Sequence, residues 1–118
     1  MIVYGIPNCN TVKKALDWLT ANGFSFEFHN FKKNGISAEK LNQWCDVFGW
    51  ESVLNKKGTT WRKLSLEEQK DVVDQDAAVR FMLSHTSAIK RPIVEQNSKA
   101  VLLSFNESQY SQVLNNHL

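Results

Sequence analysis

The sequence predicts an α/β fold built as β-α-β, a helical insert and β-β-α around a mixed central sheet. Three observations lead there. A short apolar run is followed by a turn and a helical period. The middle of the chain keeps the 3.6-residue period with no strand pattern, and two short apolar runs near the end are joined by a polar turn.

The first element is the apolar run Ile2 to Tyr4. The segment GIPNCN follows, and then a helix whose face is Val12, Ala15, Leu16 and Leu19, with Asn22-Gly23 as its stop. Phe24 to Phe31 alternates Phe24, Phe26 and Phe28 against Ser25, Glu27 and His29, the period of a strand. A strand–helix–strand unit of this length predicts parallel strands. From 32 to 88 the chain reads as the helical insert of a single domain spanning 1–118. There Ser37 caps a helix with Leu41, Trp44, Cys45 and Phe48 on one face, and Ser65 with Glu68 forms a capping box for a helix carrying Leu66, Val72 and Val73. Asp74 or Asp76 starts a further helix with Ala78, Phe81, Met82 and His85, and KKGTTWRKL is a polar connection. Arg91 to Val94 and Ala100 to Leu103 are strands joined across Gln96-Asn97-Ser98. Asn106 with Gln109 opens a last helix bearing Tyr110, Val113 and Leu114.

The 118 residues carry 42% hydrophobic and 22% charged side chains, which is ordinary for a folded soluble domain and argues against disorder. A net charge of +2 gives no ground for direct nucleic-acid binding. No stretch has the apolar length of a membrane span, and the first residues lack a signal-peptide pattern, so the expected location is the cytoplasm. Ten of the 14 lysines and arginines come as adjacent pairs, while acids gather between Glu67 and Asp76.

Two cysteines cannot form a disulfide framework, and no Cys/His group has zinc spacing, so no metal is expected. Cys9 lies in a strand-to-helix loop, where unpaired helical N–H groups and the helix dipole favour a thiolate. Lys13, one turn on, adds positive charge; the plain alternative is an inert loop thiol. Cys45 falls on an apolar helix face, where cysteine behaves as a small hydrophobe. Arg91-Pro92 opens a strand, where proline is awkward because it donates no ladder bond. A cis bond there would aim Arg91 at a neighbouring loop. His29, His85 and His117 are far apart in sequence, so no Cys–His dyad is supported. Trp61 stands out among four tryptophans because its neighbours are polar.

The segments YGIPNCNTVKKAL, LNKKGTTWRKL and IKRPIV, in this order, resemble the arsenate-reductase-like family that includes ArsC, Spx and YffB proteins, the YffB-like branch above all. The resemblance spans essentially the whole chain. It implies a thioredoxin-like fold, a catalytic cysteine at Cys9 and a catalytic arginine at Arg91, with Pro92 as a cis-proline. It further implies a glutathione-dependent thiol–disulfide reductase with glutathione as co-substrate. Asn8, Thr11, Lys13, Pro92, Lys56 and Trp61 would then be substrate contacts. There are departures. The positions of two further oxyanion-binding arginines hold Asn55 and Ser104, a histidine position holds Gly5, and the Cys-x-x-Cys pair of Spx is lost because Val12 stands third after Cys9. Two alternatives follow from the same resemblance: an arsenate reductase, and an Spx-like regulator that binds RNA polymerase without catalysis.

Overall fold

The computed structural model describes residues 1–115, so His117 lies outside the described residues. The described residues divide into two compact units, 1–34 with 91–115 and 35–90, against an expected insert of 32–88.

The first unit is a four-stranded mixed sheet with strand order β2-β1-β3-β4. Its elements are β1 (Ile2–Gly5), α1 (Asn10–Ala21), β2 (Glu27–Asn30), α2 (Phe31–Asn34), β3 (Ile93–Gln96), β4 (Lys99–Leu103) and α8 (Glu107–Asn115). β1 pairs parallel with β2, and antiparallel with β3, which pairs antiparallel with β4. This is the mixed sheet that the β-α-β and β-β-α halves require. Val3, Val94 and Leu102 from the sheet, Ala15 and Leu19 from α1, and Tyr110 and Leu114 from α8 form one buried cluster. The period-3.6 stripe of α1 therefore covers one face of the sheet. At the hairpin, Asn97 and Ser98 take φ of 52° and 65°, the left-handed pair that a two-residue turn between twisted strands favours.

The second strand is shorter than its alternation predicts. Only Glu27–Asn30 pairs, Phe28 is 37% exposed, and Phe31 is fully buried at the start of α2. Phe24 and Phe26 pack against the core of the first unit without joining the ladder. Asn30 ends the strand: its Oδ1 accepts from the N–H groups of Lys32 and Lys33 and turns the chain into a helix.

The second unit holds α3 (Ala38–Phe48), α4 (Trp50–Val53), α5 (Thr59–Arg62), α6 (Leu66–Lys70), α7 (Gln75–Ser84) and a 3₁₀ turn at Thr86–Ala88. Ser37 caps α3 through Lys40 N–H, and Asp74 rather than Asp76 caps α7 through Ala77 N–H. α3 packs on α7, and Gln75 Nε2 donates to Asn42 Oδ1 at 2.8 Å. Two expectations change. The capping box of Ser65 and Glu68 is present, but α6 ends at Lys70, leaving Leu66 and Val73 exposed, because nothing apolar continues the stripe at 67–71. The KKGTTWRKL connection contains a helical turn, α5, which buries Trp61 against Phe81 at 5.8 Å. Among the described residues no helix is long and apolar enough to cross a membrane.

Candidate active site

The loop from Ile6 to Cys9 leaves β1, the strand paired on both sides. Asn8 takes φ of 62°, a left-handed conformation that asparagine tolerates better than most residues, and this turns the chain so that Cys9 becomes the N-cap of α1. Cys9 has extended backbone angles, and its carbonyl accepts the Lys13 N–H at 2.9 Å. Serine or aspartate would ordinarily fill such a cap and accept from the first N–H groups. The Cys9 side chain makes no such close cap bond, but the same N–H groups favour its anion.

The balance at Cys9 has opposing parts. Partial burial raises the thiol pKa and is the largest single effect. The Val12 N–H, the hydrogen bond and charge of Arg91, and the Thr11 N–H all lower it, and together they hold Cys9 below the ordinary thiol value of 9.0. A helix start and one guanidinium thus favour the thiolate form of this half-buried sulfur. Arg91 precedes Pro92, and the peptide bond between them is cis. The Pro92 carbonyl accepts from Ser104 N–H at 2.7 Å, while the Ser104 carbonyl accepts from the Tyr110 hydroxyl at 2.6 Å.

Cys45 is the counter-case. It is 3% exposed within α3, and burial, aided by the charge of Asp46, pushes its thiol up to about 11. It is poorly placed to react.

Of the other expected contacts, Asn8 and Thr11 flank the thiol in the loop and first turn. Lys13 is directed to Asp17 at 3.2 Å, and the groups that lower the Cys9 pKa are the main chain and Arg91. Lys56 and Trp61 belong to the second unit, where Lys56 Nζ lies 5.3 Å from the Trp50 ring and 5.6 Å from the Trp61 ring. Asn55 there closes a tight turn, its Oδ1 accepting from Lys57 N–H at 3.2 Å. Among the described residues no group of three or more His, Cys, Asp or Glu side chains could hold a metal ion.

Two features escaped the sequence reading. Ser104 acts through its backbone at φ of 64°, which nothing in a serine signals. Beside Cys9 lies a cavity of about 550 Å3 whose lining includes Leu16, Asp17 and Phe28 as well as the loop. Leu16 was legible only as core and Phe28 only as a strand residue.

The model of the ArsC family matches residues 4–113. An uncharacterized protein of Haemophilus influenzae is 42% identical over 92% of this chain and 93% of its own length. The solved structure of a protein named YFFB superposes with a TM-score of 0.89 at 40% identity, covering 96% of this chain and 97% of that one. An arsenate reductase (ArsC) related protein from Brucella melitensis gives 0.75 at 39% identity, covering 96% and 92%. The global transcriptional regulator Spx of Lactiplantibacillus plantarum is 24% identical over 97% of this chain and 86% of its own.

Proposed function

This chain belongs to the ArsC family, and from that premise we propose that it is a glutathione-dependent thiol–disulfide reductase of the cytoplasm, acting through Cys9. The observation that carries the reading is the balance at Cys9: main-chain N–H groups and Arg91 outweigh burial and lower its pKa, while Cys45 is buried and pushed up to about 11. One reactive thiol of this kind suits a mechanism with an external resolving thiol.

In that mechanism the Cys9 thiolate attacks the glutathionyl sulfur of a mixed disulfide between glutathione and a second thiol. The S–S bond breaks, the displaced thiolate leaves and takes a proton from solvent, and Cys9 is left in a mixed disulfide. Glutathione thiolate then attacks the glutathionyl sulfur, releasing glutathione disulfide and restoring Cys9. Glutathione supplies the two electrons. Arg91 stabilises the thiolate between turnovers and, with Thr11, pairs with a glutathione carboxylate. Asn8 and Pro92 shape the approach to the sulfur.

The arsenate reading is weakened at Asn55 and Ser104. Asn55 spends its side-chain oxygen on a local turn, and Ser104 brings no cation where an oxyanion would want a bidentate partner. The regulator reading draws on the likeness to Spx, but the redox switch of that branch needs a second cysteine where Val12 is buried. Polymerase binding would survive Cys9→Ser, whereas reductase activity would not. The test is incubation with oxidised glutathione followed by intact mass and peptide mapping. The expected product carries one glutathione on Cys9. A Cys9→Ser protein with full reductase activity would sink the proposal.

A further inference from the structure

Cys9 stands between unlike surroundings. β1, which leads to it, lies between β3 and β2 in the sheet. Arg91 and Pro92 come from the β3 side and offer charge and main-chain polarity. On the other side is the cavity of about 550 Å3, walled by Ile6, Val12, Leu16 and Phe28. Its charged groups, Lys13 and Asp17, pair with each other at 3.2 Å and leave no net charge there. Gly5 helps to shape it. A Cβ at that position would stand 3.0 Å from Val12 Cγ2 and 3.4 Å from Phe28 Cε1, so glycine lets the phenyl ring approach α1. The volume lies within the range of small-molecule sites, and apolar side chains line it together with Asn8, Asn10 and the ion pair as polar groups.

Glutathione, with two carboxylates and an ammonium group, fits the Arg91 side and has little to gain from this groove. We propose that the groove seats the apolar half of an asymmetric disulfide: a small thiol bearing an aromatic or branched aliphatic group, joined to glutathione. This rests on the reductase reading. Cys9 thiolate attacks the glutathionyl sulfur, the S–S bond breaks, and the apolar thiolate leaves from the groove and is protonated by solvent. A second glutathione then releases glutathione disulfide from Cys9. The sum is one mixed disulfide plus one glutathione giving glutathione disulfide plus the apolar thiol. An inorganic oxyanion finds no net positive charge in such a groove.

The test compares two substrates with the full chain and excess glutathione: the mixed disulfides of glutathione with benzyl mercaptan and with 2-mercaptoethanol. After correction for the uncatalysed rates, kcat/KM should favour the benzyl compound by roughly tenfold to a hundredfold, the span that an apolar pocket gives. Phe28→Asp should bring the ratio towards one. Cys9-dependent turnover of both compounds at equal kcat/KM would overturn the groove assignment and leave the reductase reading intact. Turnover of neither would overturn the reductase reading, and the groove is then judged by alkylation of Cys9. N-benzylmaleimide should outpace N-ethylmaleimide by about fivefold beyond the ratio seen with free glutathione; the same ratio as free glutathione would refute the groove.

Discussion

The two cysteines put one side chain in opposite chemical conditions. Cys9 ends a loop, is half-buried and faces the start of α1. Cys45 sits mid-helix in α3, 3% exposed. Both are penalised by burial as anions. Only Cys9 has the compensation of free-ended helix N–H groups and a guanidinium, so its pKa falls while that of Cys45 rises to about 11. Backbone position, more than exposure, therefore separates the thiol held low from the thiol held high.

Removing one or the other sharpens this contrast most. Cys9→Ser should eliminate the glutathione adduct and turnover, whereas Cys45→Ala should keep the single adduct at its full rate, both read by intact mass. Next, Arg91→Ala should raise the Cys9 pKa and slow labelling at pH 7 several-fold. The difference should vanish at pH values above both pKa values, where the thiol is ionised in either protein. A loss that persisted there would assign Arg91 a role other than holding the thiolate.

Stability against pH separates the pair by sign. Cys45 stays neutral in the folded chain to about pH 11 but ionises near 9.0 when unfolded. Its contribution is present below pH 9 and is lost as pH rises towards 11. Cys9, lowered on folding, contributes in the opposite sense: its share is present above pH 9 and is lost as pH falls through the folded value. Between pH 8 and pH 10.5 the urea midpoint should thus fall less for Cys45→Ala than for the parent. Smaller still, Asp74→Ala should remove the cap of α7 at a cost of about 1 kcal/mol without changing Cys9 labelling. At a pH low enough to protonate the thiol, Cys9→Ser should not destabilise, because serine is the better cap.

Much of this was legible. The stripe Val12, Ala15, Leu16 and Leu19 specified α1, and the caps Ser37 and Ser65 marked helix starts at the residue level, while the start of α7 was legible only as Asp74 or Asp76. The extent of β2 was not, because Phe24 and Phe26 alternate as a strand does yet pack onto the core without pairing. Leu66 and Val73 looked like a buried stripe because a capping box announces where a helix starts and says nothing of where it stops. At the site, Cys9 was suggested by its place before a helix and Arg91 by the family resemblance. Phe28 was legible only as a strand residue and Ser104 only as a position lacking an arginine, and Asp17 carried no signal, since their settings come from the fold: a strand edge beside a helix flank, a left-handed backbone bonded to Pro92, and an ion pair with Lys13.

The most direct test of the account is the pH dependence of Cys9 labelling in the parent protein and in Arg91→Ala, followed by mass spectrometry so that Cys45 is scored apart. The account predicts a Cys9 midpoint below the ordinary 9.0 that moves up when Arg91 is removed, with Cys45 labelled only after unfolding. A Cys9 midpoint at or above 9.0, unmoved in Arg91→Ala, would contradict it.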